Sequence, residues 1–189
     1  MPRSSRAESE ATARRVRLAA GELFAEHGYT AIGLEQVAAA AGVTRGAVYH
    51  HFGDKRSLFL AVFADAQAII ASEVASAAPG DGWPALIDGS LAFVRAAVHP
   101  RVRRIVLVDA PSILGWEQWR HVDAQNAAAL LSEGLSALDD LAIDPQAAGA
   151  LLNGAMNEAA LWIASGGDAT LIEPGLVRLI NSLRAPSAR

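Results

Sequence analysis

The stretch Leu34-Glu-Gln-Val-Ala-Ala-Ala-Ala-Gly42-Val-Thr-Arg-Gly-Ala-Val-Tyr-His-His-Phe-Gly-Asp-Lys-Arg-Ser-Leu58 decides how this chain folds. Val37, Ala38 and Ala41 recur at helical spacing and give a first short helix an apolar stripe. Gly42 follows as a turn residue, where a positive φ costs glycine nothing. Thr44 stands where the next helix needs an oxygen to accept from its first free amides. That second helix is expected to bury Ala47 and Val48 and to turn Arg45, Gly46, Tyr49 and His50 outward. A helix of this size fits the major groove of B-DNA, and its outward groups include donors suited to base edges and phosphates. The pattern reads as a helix-turn-helix.

Two short amphipathic helices around a glycine also occur in helical hairpins that never touch nucleic acid. The continuation through His50, His51, Phe52 and Lys55 favours the nucleic-acid reading. It places Tyr49, His51 and Lys55 around one short turn, three groups able to meet phosphate oxygens. Lys55 is the only lysine in the chain, and a compact ammonium suits a single phosphate oxygen. The candidate DNA face is therefore Thr44, Arg45, Gly46, Tyr49, His50, His51 and Lys55.

Residues from about 14 to 63 resemble the DNA-binding domain of the tetracycline-repressor (TetR) family of transcriptional regulators. The resemblance is carried by Ala19, Ala20, Leu23, Phe24, Gly28 and Tyr29 in and after the first helix. It continues through Val37, Ala38, Ala41, Gly42, Val43, Gly46, Val48, Tyr49, His51, Phe52, Lys55 and Leu58. Gly33 departs from the pattern, which usually has Ser or Thr capping the second helix; glycine is an acceptable cap, so the helix start is expected to weaken only slightly. The resemblance implies an all-α fold, with an N-terminal three-helix DNA-binding domain and a C-terminal helical ligand-binding and dimerisation domain. The boundary is expected near residue 58, with 1–58 as tail and helix-turn-helix and 59–189 as the effector and dimerisation domain. A long fourth helix over about 54–77 would link them.

Length and composition agree with this division. A chain of 189 residues, 52% hydrophobic, can bury a substantial core. No run is expected to reach the ~18 uncharged apolar residues of a membrane span, so no membrane partner is expected. The start Met-Pro-Arg-Ser-Ser-Arg lacks a secretory apolar segment, which makes the cytoplasm the expected compartment. With no cysteine there is no disulfide, thiol chemistry or thiolate metal site. The formal charge of −4 divides unevenly, as +2 over residues 1–58 and −6 over 59–189. That asymmetry directs nucleic acid towards the N-terminal part. Arg3 and Arg6 lie in a polar tail that reaches along DNA or is simply solvated.

Periodicity and punctuation predict further helices over 9–27, 83–98, 101–108, 116–139, 145–165 and 171–183. In the fourth helix Leu58, Phe59, Val62 and Ile69 are expected to face inward, and Asp54 to cap it. The last two helices combine small residues, such as Gly149, Gly154, Ala155 and Ala159, with apolar area from Leu151, Leu152, Leu176, Ile180 and Leu183. Small residues allow close helix approach. By the resemblance, this pair packs with its copy as a four-helix bundle and makes a homodimer. The expected interface is Leu151, Leu152, Ala155, Ala159, Leu176, Ile180 and Leu183; the alternative is packing inside the monomer.

A small-molecule site is expected around Trp116, Trp119, Asn153, Met156, Asn157 and Trp162, where aromatic area meets two amides on one helix face. The region has no basic cluster, which favours a neutral, cationic or modestly polar effector over a polyanion. No catalytic or metal-ligand spacing and no cofactor motif is present. His99, His121, Asp109, Asp123 and Glu158 form no such set, and His121 and Asp123 point to different sides of a helix. The expected function is a ligand-responsive regulator, most simply a repressor, that leaves a palindromic double-stranded operator when an unidentified effector binds. The rival is a helical small-molecule-binding or scaffolding protein without specific DNA function, which would leave the candidate DNA face unexplained.

Overall fold

The computed structural model describes residues 2–186, with side chains from residue 6 onward. Eleven α-helices follow one another: α1 (Pro2–His27), α2 (Leu34–Ala41), α3 (Arg45–Phe52), α4 (Lys55–Ala77), α5 (Gly82–Ala97), α6 (Pro100–Arg103), α7 (Ala110–Leu114), α8 (Trp116–Ala124), α9 (Ala127–Ser136), α10 (Pro145–Ala164) and α11 (Ala169–Asn181). A π-helical stretch, Arg104–Asp109, joins α6 to α7. The only β feature among the described residues is an isolated antiparallel bridge between Leu141 and Arg184. The fold is all-α, as the sequence implies.

The chain forms two compact units. One holds the residues up to Ala66 together with Pro100–Glu117; the other holds Gln67–His99 and the chain from Gln118 on. The division falls inside α4, later than the expected residue 58, and the segment 100–117 packs with the N-terminal helices. In the first unit Val16, Ala20, Phe24, Val37, Val48, Leu58, Phe59 and Phe63 are fully buried. Phe24, Tyr29 and Phe59 form a ring cluster with centroids 5.0–5.7 Å apart. Phe24 and Phe59, fully buried, each stabilise the fold by about 1.5–3 kcal/mol, while Tyr29 is half-buried. In the second unit Ile70, Phe93, Leu135, Leu152 and Ile180 form the core.

Local chemistry explains several helix starts. The Asp54 carboxylate accepts from the Ser57 amide at 2.6 Å and starts α4. Asp144 accepts from the Gln146 and Ala147 amides at the start of α10, and Asp168 from the Thr170 amide at the start of α11. At Gly33 the reciprocal half of a capping box survives, because Gln36 Oε1 accepts from the Gly33 amide at 2.7 Å.

Three expectations need correction. The run 101–108 does not end at Asp109. Helical backbone continues to Leu114, widened to π-helix before Pro111, a residue with no amide hydrogen to donate and a ring that crowds the carbonyl four residues back. The single helix expected over 116–139 breaks at Gln125–Asn126. There Asn126 Nδ2 takes the Val122 carbonyl at 2.8 Å, a side chain competing for a helical acceptor. On α4 it is Ile70, fully buried, that faces inward, while Ile69 is exposed. Asp65 and Glu73 interrupt α4, so it holds no uncharged apolar run of ~18 residues, although by length and composition it is apolar enough to cross a membrane. Its Leu58, Phe59, Val62, Phe63, Ala66 and Ile70 are nonetheless buried against protein, as in a core helix.

Candidate nucleic-acid interface and ligand cavity

The helix-turn-helix forms by the chemistry its sequence announces. Gly42 adopts φ +64, and its amide and that of Val43 close the end of α2 onto the Ala38 and Ala39 carbonyls. Thr44 Oγ1 accepts from the Ala47 amide at 3.2 Å and caps α3. Val48 is fully buried against the stripe of Val37, Ala38 and Ala41, whereas Ala47 is only half-buried. Arg45, Gly46, Tyr49 and His50 are exposed along the opposite face of α3. Backbone rigidity here comes from two capped ends and one buried valine, which leaves the outward side chains free of packing duties.

Those side chains are nonetheless organised. Arg45 Nη1 lies 2.6 Å from Glu35 Oε1 on α2, and Arg45 Nη2 donates to the Tyr49 hydroxyl at 3.1 Å. Its guanidinium carbon stands 5.2 Å from the Tyr49 ring centroid. Glu35 thus belongs to the candidate face, although nothing in its local sequence singles it out; only the crossing of α2 and α3 brings it to Arg45. His51 is half-buried between the His50 and Phe52 rings, at centroid distances of 5.4 and 6.2 Å. Lys55 is half-buried too, its ammonium 4.2 Å from the Tyr29 ring centroid. Burial holds the Lys55 pKa below its ordinary value and raises that of Tyr29, the latter with help from Asp54. The tail lies largely outside this geometry: the Arg3 side chain is not among those described, and Arg6 pairs with Glu10 at 3.0 Å on α1.

The end of α1 is tied to the π-helical stretch within the same unit. Asp109 accepts from the Tyr29 amide at 2.9 Å, and Arg104 Nη1 approaches the Glu26 carbonyl at 3.5 Å. The Arg104 guanidinium occupies the space a side chain on Gly28 would need. At the start of α4, Arg56 Nη2 donates to the Leu114 carbonyl at 3.0 Å, closing the end of α7. Sequence periodicity carries no trace of these ties, because each spans fifty or more residues.

The second unit encloses a cavity of about 440 Å³ between α4, α5, α9 and α10. Val74, Leu86, Phe93, Leu130, Leu131 and Met156 supply apolar wall. Of the six residues expected at an effector site, Met156 alone lines it. Trp119 is buried elsewhere, Trp116 lies in the first unit and is 62% exposed, and Trp162 is exposed and folded over Gly167. Asn153 and Asn157 do share a face, and they build a polar layer with a residue not foreseen in that role. Asn153 Nδ2 donates to Asp123 Oδ2 at 2.8 Å, Gln67 Nε2 approaches Asp123 Oδ1 at 3.4 Å, and Asn157 Nδ2 donates to Asn153 Oδ1 at 3.2 Å. Asp123 is 2% exposed, and burial raises its pKa against the lowering effect of the two amides. Gln67 Oε1 is buried without a hydrogen-bond partner.

The residues expected at a dimer interface divide in two. Leu152, Ala159, Leu176 and Ile180 are buried in the chain's own core and have no area left for a second copy. Leu151 is 65% exposed, and Ala155 and Leu183 are half-buried. The outer stripe of α10 is Leu151, Gly154, Ala155, Glu158 and Trp162, and that of α11 is Leu171, Gly175, Arg178 and Leu179, each apolar but for one charge. Among the described residues no group of three His, Asp or Glu side chains is placed to hold a metal ion.

Comparison with known proteins agrees with this geometry. A family model described as bacterial regulatory proteins, tetR family, matches residues 17–62, and one described as tetracyclin repressor-like, C-terminal domain, matches residues 83–184. The HTH-type transcriptional regulator AcrR of Shigella flexneri is 31% identical over 110 residues, 57% of this chain and 51% of that protein. The repressor AcnR of Corynebacterium glutamicum is 54% identical over 39 residues, 21% of each chain. The matched part thus spans about half the length of AcrR and about a fifth of AcnR. A crystal structure of a TetR-family regulator from Pectobacterium atrosepticum superposes with a TM-score of 0.76 at 31% identity, covering 96% of this chain and 98% of the other. FadR of Bacillus subtilis in complex with stearoyl-CoA shares the fold alone, with a TM-score of 0.72 at 14% identity over 88% and 96% of the two chains.

Proposed function

The chain belongs to the tetracycline-repressor family of bacterial regulatory proteins, and from that premise we propose that it is a ligand-responsive regulator that binds a palindromic operator as a homodimer and leaves it when a small molecule enters the second unit. The observation that carries the reading is the outer face of α3. It is a capped helix whose exposed side chains are an arginine, a tyrosine and a histidine, beside an anchored lysine. Arg45 and Tyr49 suit base edges and phosphates, while Thr44, Gly46, His50, His51 and Lys55 complete the surface that meets the backbone. With +2 of formal charge over residues 1–58, affinity rests on placement and on two copies acting together. A two-fold dimer sets two recognition helices one helical turn, about 34–36 Å, apart on DNA. The outer stripes of α10 and α11 supply small and apolar area for such a dimer.

Regulation then follows from population shift. The chain passes between its two units within α4 and again on either side of the segment 100–117. An effector with higher affinity for one arrangement of the second unit favours that arrangement, and only through that difference can it alter the spacing of the recognition helices. Repression is the simplest output.

The test is a titration of the purified protein against DNA spanning its own promoter, over a range of salt, with a shuffled duplex as control. Sequence-selective, salt-sensitive binding by two or more subunits per site is the expected result. Equal affinity for the shuffled duplex and for fragments selected genome-wide would sink the reading.

A further inference from the structure

Resting on the reading of the second unit as the effector domain, we infer that its cavity takes an amphiphile with an apolar body and one protonated amine or amidinium head. The walls are apolar, and the single hydroxyl among them, that of Ser90, already donates to the Leu86 carbonyl at 2.7 Å. An interior with no free polar group rewards a hydrocarbon or aromatic body and penalises a polar one. The charged lining residues are Asp81 and Glu133, both exposed and hence at the solvent side. Neither side chain makes a hydrogen bond or ion pair among the described residues, and that of Asp81 does not cap α5 although it stands at the cap position. No Lys, Arg or His lines the cavity. Two unpaired carboxylates beside an apolar hollow attract a cation and repel a carboxylate or phosphate head.

A glycine marks the hollow as kept open. Gly134 lies in the last turn of α9 and lines the cavity, where a Cβ would meet only Leu86 Cδ1, at 3.7 Å, an ordinary contact. Packing therefore admits alanine, and helix propensity favours it. Glycine at this place costs helix stability and returns volume to the cavity. Gly89, across the cavity on α5, differs: its Cβ would press on Val74 and Ala78 at 3.4 and 3.5 Å, so close packing alone accounts for it.

The experiment is isothermal titration of the full chain, without DNA, with decylammonium, 1-decanol and decanoate, each below its micelle-forming concentration. The expected result is one decylammonium per chain, bound about ten-fold more tightly than 1-decanol, the worth of one charge-assisted hydrogen bond, with decanoate weakest. Asp81→Asn with Glu133→Gln, both exposed and without folding consequence, brings decylammonium down to the level of 1-decanol and leaves 1-decanol unchanged. Gly134→Leu takes up part of the cavity and weakens decylammonium and 1-decanol alike, with the melting transition retained. The inference is overturned if none of the three binds, if decanoate binds as tightly as decylammonium, or if the double charge variant keeps the cation preference. Because these titrations contain no DNA, their failure leaves the DNA-binding reading standing, and failure of the promoter titration leaves this one standing.

Discussion

Lys55 holds its ammonium 4.2 Å from the centre of the Tyr29 ring, so the one lysine of the chain is anchored at the mouth of α4 before any phosphate reaches it. An anchored cation loses less side-chain entropy on meeting DNA than a free one. Lys55→Ala is expected to weaken operator and shuffled duplex alike and to lower the slope of log affinity against log salt by about 0.9 per site. Tyr29→Leu keeps the charge but removes the ring. The expected loss is two- to five-fold in affinity, the equivalent of a cation–π contact of about 0.5–1 kcal/mol, with the salt slope unchanged. Anisotropy titrations at four or more salt concentrations separate the two effects.

Arg45 makes a different kind of contact. Its guanidinium is held by Glu35 and Tyr49 with donors still free on the exposed face of α3. A fork in that position favours guanine, whose O6 and N7 accept two parallel bonds. Arg45→Ala should cost about 1–3 kcal/mol of discrimination at one base pair of each half-site and leave the others intact. Glu35→Gln removes a negative charge that opposes phosphate and also loosens Arg45. Affinity for shuffled DNA should therefore rise while the ratio of specific to non-specific binding falls. An unchanged ratio would remove Glu35 from the recognition surface.

The parts of this fold that were legible in the sequence are those set by contacts within a few residues. Gly42 donates its amide to the Ala39 carbonyl, and Thr44 and Asp54 each accept from the amide three residues on, so they mark the ends of α2, α3 and α4 correctly. Asn126 also acts locally, yet a helical period runs through it and conceals the break. The Glu35–Arg45 pair, the Asp109–Tyr29 tie and the cavity depend on which helices cross, and periodicity records only that a face is apolar. Tryptophan misled for the same reason. Trp116 and Trp162 read as cavity or core by their chemistry, and both are exposed. The α10 stripe shows the limit most plainly: Leu151 and Leu152 are neighbours of equal hydrophobicity, and only helix phase puts one outside and the other in the core.

That phase gives a test of the dimer. Leu151→Glu and Leu179→Glu change exposed side chains, so each should alter monomer stability by no more than about 0.5 kcal/mol. If the outer stripes of α10 and α11 form the interface, the double variant sediments as a monomer and loses operator affinity by several orders of magnitude. Leu152→Glu, by contrast, should unfold the second unit, because it places a charge in the core. A double variant that remains dimeric moves the interface elsewhere.

Gly28 has φ +84, in the left-handed region, and the Arg104 guanidinium lies over it. Gly28→Ala should cost about 1–2 kcal/mol from backbone strain alone, plus whatever is needed to displace Arg104. Urea denaturation in an Arg104→Ala background separates the two. The strain remains and the displacement vanishes, so the cost of Gly28→Ala should be smaller there. Equal costs in both backgrounds would show that the guanidinium gives way freely.

Asp123 gives the second unit a pH dependence opposite in sign to that of its surface carboxylates. Burial raises its pKa, and the hydrogen bonds from Asn153 and Gln67 only partly offset that. A carboxyl group whose folded-state pKa lies above its unfolded value binds more protons in the native state between the two values. Its contribution to stability is therefore fully present below the unfolded pKa, about 3.9, and is lost as pH rises through the folded value. Three surface carboxylates work in the opposite direction: hydrogen bonds to the groups they cap hold Asp54 and Asp168 below their ordinary pKa, and pairing with Arg95 does the same for Glu173, so their contributions are lost as pH falls. Only a difference between proteins isolates Asp123. Asp123→Asn cannot ionise, and its amide has an oxygen to accept from Asn153 and an N–H to offer the unpartnered Gln67 oxygen once that amide turns over. At neutral pH the variant should be the more stable of the two, and the gap should close as pH falls towards 4. Thermal melts of both proteins across that range decide the matter, and a gap that stays constant or widens on acidification would mean that burial does not raise the Asp123 pKa.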